Sequence, residues 1–139
     1  DGVRLEVLSP AAEDFDPLSS KANEVMIVGR LRYGDTEFML TGDVERGDET
    51  RLVGEGFDIE SDVLKVAHHG SRYSTTQLFL ERVRPNIAVV SVGARNTYGH
   101  PNKETLGRIA DAGATIFRTD ISGRLLFSSD GRSVILHKK

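Results

Sequence analysis

Two adjacent histidines, His68 and His69, follow directly on an apolar run in the segment VLKVAHHGS. They are half of the four histidines in the chain, and packing alone does not explain two imidazoles at the end of an apolar strand. Neutral imidazole nitrogens bind transition metals, and imidazole exchanges protons near neutral pH. The pair therefore indicates metal binding or acid–base chemistry, with a structural pair as the alternative.

Two more polar residues stand where apolar runs end. Asp43 ends FMLTGD, and His100 lies in the glycine-containing loop of VVSVGARNTYGHP. Ligands of α/β sheets bind at the carboxyl ends of the strands, so we expect these two residues to cluster with the histidine pair. Carboxylate and imidazole together suit Zn, Mn or Fe. Simpler interpretations are a turn at Gly-Asp and, for His100, a residue that only flanks a helix.

The elements that must position this cluster are short strands followed by alternating strands and helices. Period-two alternation and apolar runs predict strands over 3–8, 24–32, 36–40, 62–67, 86–93, 114–119, 123–129 and 132–137, the last two joined by an Asp-Gly turn. A short amphipathic segment is expected over 45–53. The order is a group of strands, then βαβαβ, then a hairpin, which predicts an α/β fold with a mixed sheet.

Capping signals place two helices between the later strands. Ser74 with Gln77 is typical of a capping box for a helix over 75–84. Ser74 at that helix N-terminus is also expected to face an anion. Pro101 fits the first turn of a second helix that runs to 112, with Gly113 as its cap.

Composition limits the classes of protein that remain. The 139 residues are 38% hydrophobic and 28% charged, with a net charge of −3, which is typical of one folded domain and excludes a broadly basic nucleic-acid coat. The absence of cysteine excludes disulfides and thiolate metal sites. The longest apolar runs are far shorter than the roughly 20 residues of a membrane span.

The segments LTGD, LKVAHHGS and VSVGARNTYGHPNKETL, in this order, resemble the C-terminal half of a metallo-β-lactamase-fold hydrolase. More narrowly, they are similar to the hydrolase domain of ComEC-type DNA-internalisation proteins of bacterial competence. The resemblance covers roughly residues 3–136. It implies half of an αββα sandwich, a mixed sheet with helices on one face.

The resemblance also implies residue roles. Asp43 and His69 match metal ligands, for Zn or Mn, and His68 matches a catalytic residue or a further ligand. His100 matches a catalytic histidine that donates a proton to the leaving oxygen or contacts a phosphate. Asn23 lies where many relatives carry another metal-binding histidine. Residues at the strand ends that would bind the substrate are Ser71, Arg72, Arg95, Lys103 and Arg118, although each basic residue has an ordinary interpretation as a solvated charge.

The His-x-His-x-Asp-His signature of the fold is absent from the chain. We therefore expect residues 1–139 to be a single partial domain from a longer protein, inactive alone and without a tightly bound metal. The expected function of the parent is metal-dependent phosphodiester hydrolysis of DNA during uptake. The alternatives are a hydrolase of a small ester, lactam or thioester, and a non-catalytic assembly module of a membrane channel.

Four partners follow from these expectations. They are the missing N-terminal half of the same domain, single-stranded DNA, the membrane-channel portion of the parent, and a second copy of the chain bound through a bare apolar sheet face. The runs VMIVGRL and NIAVVSV carry more apolar residues than one covered face requires, so Val28 and Val89 are expected on that bare face. The expected location is the extracytoplasmic side of a bacterial inner membrane protein.

Overall fold

Six strands form one mixed sheet in which spatial order equals chain order. The computed structural model describes residues 2–10 and 26–137. The strands are β1 (Arg4–Ser9), β2 (Val28–Tyr33), β3 (Thr36–Leu40), β4 (Val63–Lys65), β5 (Ile87–Val90) and β6 (Thr115–Arg118). β1 to β3 pair antiparallel, and β3 to β6 pair parallel. The predicted α/β class with a mixed sheet is confirmed.

A helix joins each parallel pair of strands. These helices are α1 (Arg46–Gly54), α2 (Gln77–Val83) and α3 (Lys103–Asp111), and a short α4 (Thr119–Ser122) follows β6. Connections between parallel strands are almost always right-handed, and three such crossovers that advance in one direction place their helices on one face of the sheet. The buried core agrees, because Leu52, Phe79 and Ile109 of the helices join Met39 and Leu64 of the sheet in one cluster. The predicted location of the helices on one face is confirmed.

The opposite face of the sheet is apolar and only partly covered. A separate two-stranded sheet, β7 (Leu126–Ser129) and β8 (Val134–His137), lies against it. The Phe127 ring packs edge-on to Phe117 of β6, with centroids 6.2 Å apart. At the other side of the sheet the Asp35 amide donates to the Gly131 carbonyl at 2.7 Å. We call this face the open face.

Several predicted element boundaries differ from the structure. The described residues before α1 contain three strands, whose predicted bounds were 3–8, 24–32 and 36–40, and the amphipathic segment over 45–53 is helix α1. The Ser74 cap is wrong because α2 begins at Gln77 and its cap is Thr76, whose hydroxyl accepts from the Phe79 amide at 3.3 Å. Pro101 lies before the first turn of α3, which Asn102 caps. Asn23 and the start of the predicted strand 24–32 lie outside the described residues.

Candidate functional site

Hydrogen bonds tie together the segments that follow β3, β4 and β5. The His68 amide donates to the Gly42 carbonyl at 3.1 Å, and the Asn102 amide donates to the Gly70 carbonyl at 2.8 Å. The His69 ring contacts the Ser91 carbonyl through Nδ1 at 2.6 Å. The three motifs that the sequence placed at strand ends therefore meet at one edge of the sheet, as predicted.

The backbone of the histidine pair adopts an uncommon conformation. His68 and His69 have φ values of 46° and 55°, in the left-handed region that non-glycine residues seldom adopt. Each such residue costs about 1–3 kcal/mol and persists only where its surroundings enforce it. Two hydrogen bonds hold the pair in this conformation: the His68 amide donates to the Gly42 carbonyl, and the Gly70 carbonyl accepts the Asn102 amide.

His69 and Asp43 form the pair that best matches metal ligands. Because a carbonyl can only accept, the bond to Ser91 places the proton on Nδ1 of His69 and leaves Nε2 with a free lone pair. That Nε2 lies 3.7 Å from Oδ1 of Asp43. Two atoms bound to one tetrahedral ion at about 2.0–2.2 Å are about 3.4 Å apart. The two donors fit a divalent ion in kind and spacing, but the described part of the chain holds no group of three such residues that would complete a site.

His68 carries a nitrogen without a hydrogen bond. Its Nδ1 is buried and has no hydrogen-bond partner among the described residues. Oε1 of Glu45 lies 3.4 Å away, a contact that becomes an ion pair when the imidazole is protonated. Buried polar atoms that lack a partner are rare. This nitrogen is closed to solvent and faces the Glu45 carboxylate.

His100 is held close to the pair by its own loop. Its ring centroid lies 5.8 Å from that of His68. Asn96 fixes the loop, because its side chain accepts from the His100 amide at 3.0 Å and donates to the His100 carbonyl at 2.8 Å. Burial lowers the pKa of His100, and the neighbouring His68 and His69 lower it further. His100 therefore lies at the same edge as His68 and His69, with a ring that is partly desolvated.

An open cavity of about 460 Å³ adjoins these side chains, a size typical of ligand sites. It is lined by His69, Ser91, Val92, Gly93, Asn96, Tyr98, His100 and Thr119.

The predicted substrate-binding residues differ in their surroundings. Arg72, Arg95 and Lys103 are exposed. Ser71 is buried, and its hydroxyl accepts from the Tyr73 amide at 3.3 Å. Arg118 is held in a two-point contact by Asp120, at 3.0 and 2.6 Å.

The anion contact expected of Ser74 is wrong. This residue is fully buried, and its hydroxyl donates to the Val44 carbonyl at 2.8 Å. Its one hydroxyl proton is therefore engaged inside the core, three residues before α2 begins.

Two residues near the site were not singled out from the sequence. Glu45, just before α1, reaches His68 only because the chain folds back after β3. Lys65 ends β4, and its Nζ lies 3.4 Å from the Gly42 carbonyl. Burial lowers the pKa of Lys65, and the charge of Asp43 opposes that effect. A lysine inside the apolar run VLKVA could have indicated from the sequence that Lys65 is partly buried near the site.

The fold and this edge define a class: an α/β domain with a carboxylate and three imidazoles at the carboxyl ends of parallel strands. No family model matches the chain. It is 33% identical over 130 residues to ComE operon protein 3 of Bacillus subtilis, covering 94% of this chain and 16% of the relative. It is 36% identical to competence protein ComA of Neisseria gonorrhoeae, covering 91% and 18%. It is 30% identical to recombination protein 2 of Haemophilus influenzae, covering 89% and 15%.

The chain is homologous over most of its length to competence proteins of the ComEC type, and it spans about one sixth of the length of these relatives. Among the described residues, no helix has the length and apolar character needed to cross a membrane.

Proposed function

We propose that this chain is one part of a metal-dependent hydrolase domain that cleaves DNA phosphodiester bonds during competence-linked DNA uptake. One observation carries the proposal: the free Nε2 of His69 lies 3.7 Å from the Asp43 carboxylate, beside an open cavity. The similarity to proteins named for competence and recombination supports DNA as the substrate.

In this proposal each residue at the edge has one task. Asp43 and His69 hold a divalent ion, Zn or Mn, whose chemistry is activation of water for attack on phosphorus. His100 donates an N–H to the substrate phosphate, and His68, whose ring centroid lies 5.8 Å from that of His100, is a further catalytic residue at this edge. The exposed Arg72, Arg95 and Lys103 neutralise neighbouring phosphates.

The remaining metal ligands would come from outside this chain. The described residues supply two donors, whereas a hydrolytic metal site needs at least three protein ligands. We assign the others to a preceding half of the same domain in a longer protein. In that protein the domain would lie on the extracytoplasmic side, beside the membrane-channel portion, and act on single-stranded DNA.

The test uses a longer protein that contains residues 1–139 and the region preceding them. Cleavage of labelled single-stranded DNA with Zn or Mn is expected to fall by at least about 100-fold in Asp43→Asn and in His69→Gln. Asp111→Asn, an exposed carboxylate at the distal end of α3, is the matched control.

Cleavage that is unchanged in both variants would contradict the assigned site. Turnover of an ester or thioester, with DNA left intact, would replace the proposed substrate by the small-molecule alternative.

A further inference from the structure

Tyr98 is the most exposed of the large hydrophobic side chains in the described part of the chain, at 82% of its full accessibility. Its ring lies 6.1 Å from the His100 ring at an interplanar angle of 18°, a stacked arrangement. His100 therefore lies beside the phenol ring, and most of that ring stays open to water. A large aromatic face held open to water beside a polar site is typical of a binding surface.

The loop that carries Tyr98 is fixed before any ligand arrives. Asn96 bonds both to the Gly93 carbonyl, through its amide at 3.1 Å and its side chain at 3.0 Å, and to the backbone of His100. These bonds close the loop on each side of Tyr98. A ligand that stacks on this ring therefore does not have to order the loop, which favours binding.

The surroundings of the ring identify the chemical class of that ligand. Tyr98 lines the same cavity as His69 and His100, whose imidazoles suit a phosphate. Arg95 is exposed three residues earlier in the loop. A flat aromatic surface next to phosphate-binding groups matches a nucleotide, with the base on the ring and the phosphate over the imidazoles.

We infer that Tyr98 is a stacking platform for the nucleobase that adjoins the phosphate at the His69–His100 edge. This role rests on the proposed function in that it takes single-stranded DNA as the ligand. This stacking contact requires a base but does not select among bases, because every nucleobase presents a π-face.

The test measures binding of a fluorescent single-stranded oligothymidylate to the 139-residue chain by anisotropy at low salt. The second probe is an oligonucleotide of equal length in which abasic sugars replace the nucleosides. Tyr98→Ala is expected to weaken oligothymidylate binding by about 5- to 100-fold, whereas Tyr98→Phe keeps the ring and binds within about threefold of the unaltered chain. Abasic oligonucleotide binding is expected to be equal in all three proteins.

Tyr33→Ala is the matched control, since Tyr33 is a partly exposed tyrosine at the β2–β3 turn, at the opposite end of β3 from Asp43. It is expected to bind both oligonucleotides as the unaltered chain does.

Three outcomes overturn the inference and can be told apart. Unchanged oligothymidylate binding in Tyr98→Ala removes the stacking role and leaves the proposed function in place. Equal losses for the two oligonucleotides show that the variant acts on the loop or on phosphate contacts instead. Absence of binding to either probe by the unaltered chain overturns the assignment of single-stranded DNA as its ligand, and the role of Tyr98 falls with it.

Discussion

The two nitrogens of His69 have different tasks. Nδ1 bonds to the Ser91 carbonyl beyond β5, and Nε2 points toward Asp43 beyond β3. The ring therefore spans the ends of two strands that are not neighbours, with β4 between them. A backbone carbonyl that fixes the protonated nitrogen is a common way to hold a metal-binding imidazole in one orientation.

Two donors do not make a tight site, which leads to a prediction about this chain alone. Calorimetry with Zn or Mn is expected to show binding weaker than about 1 μM, because a divalent ion held by two protein atoms retains most of its water. His137→Ala serves as a control for general binding to exposed imidazoles, since His137 lies on β8. A sub-micromolar site that Asp43→Ala abolishes would contradict the prediction.

Gly70 is the position where the site depends most on the lack of a side chain. Its φ is +85°, and a Cβ placed there would lie 2.6 Å from Cβ of Pro101. The Gly70 carbonyl also accepts the Asn102 amide, so this contact holds the loop of His100 against the histidine pair.

Gly70→Ala is expected to lower the free energy of unfolding by about 1–3 kcal/mol, from the positive φ and the clash together. Urea denaturation measures the change. Gly47→Ala is the control, because nothing lies within 4 Å of a Cβ at that position in α1, and it is expected to be neutral or stabilising by up to about 1 kcal/mol. Equal stability of the two variants would show that the loop does not need this close approach.

At the scale of elements, α1 and α2 are joined through a buried carboxylate. Glu49 of α1 is fully buried and accepts the amides of Thr75 and Thr76 at 2.5 and 2.8 Å. These amides lie at the start of α2, where the helix dipole favours a negative charge. The beginning of α2 is thus fixed by a residue more than twenty positions earlier.

This carboxylate predicts a pH dependence of stability. Burial raises the pKa of Glu49 above its ordinary value, against the opposing effect of the Thr76 and Thr75 hydrogen bonds and of Arg108. A raised pKa in the folded state means that the stability contribution is complete below the unfolded pKa, about 4.3, and is lost as pH rises through the folded pKa. The Glu49→Gln variant cannot ionise at this position, so its stability does not fall for this reason as the pH rises.

Urea denaturation at several pH values tests it. The advantage of the unaltered chain over Glu49→Gln is expected to be largest near pH 4 and to shrink toward pH 8. Glu81→Gln, on the exposed surface of α2, is the control for removal of one carboxylate. An advantage that grows with pH would show that the two amide bonds outweigh burial.

Local patterns predicted the elements well and the contacts between them poorly. The apolar runs of β3 to β6 and the helix over Lys103–Asp111 follow from periodicity and capping, and both were expected. Ser74 was mistaken for a cap because Thr76, two residues on, has similar chemistry. Glu49 and Glu45 act on distant segments, and no local pattern reports a tertiary contact of that kind. The proximity of Asp43 and His69 was predicted correctly, because the expectation that ligands bind at the carboxyl ends of strands depends on topology and not on side-chain detail.

At the scale of the whole molecule, the open face leaves apolar side chains in water. Leu5 and Val7 of β1 are 61% and 60% exposed, and Leu40 of β3 is 41% exposed. Val7, Gly29 and Leu40 are register partners across β1 to β3, so these side chains form one continuous patch.

The sequence assigned the residues of this patch with partial success. Val89 is half-buried and belongs to the open face through its pairing with Lys65 and Phe117. Val28 was also expected there, and that prediction is wrong, because Val28 is fully buried within the helix-side core. Alternation along β2 places its apolar residues on both faces, which a run such as VMIVGRL does not reveal.

We expect the open face to pair with a second copy of the chain. Among the described residues no strand lies beyond β1 at this edge of the sheet, and the apolar side chains of β1 lie beside that edge. Edges of this kind tend to add a further strand, and a two-fold axis would bring two copies of the patch together. Sedimentation velocity from about 1 to 100 μM should therefore detect a dimer.

Leu5→Lys is expected to weaken the dimer by at least about tenfold, because it places a charge in the centre of the patch. Leu78→Lys is the control, since Leu78 is a similarly exposed leucine on α2 at the other side of the molecule. A monomer at all concentrations would contradict the prediction, as would equal effects of the two lysines. In a longer protein that contains the proposed missing half, that half would cover the same face, so the dimer is expected to disappear. Its persistence there would show that the open face is a true interface between copies and is not the face on which the two halves pack.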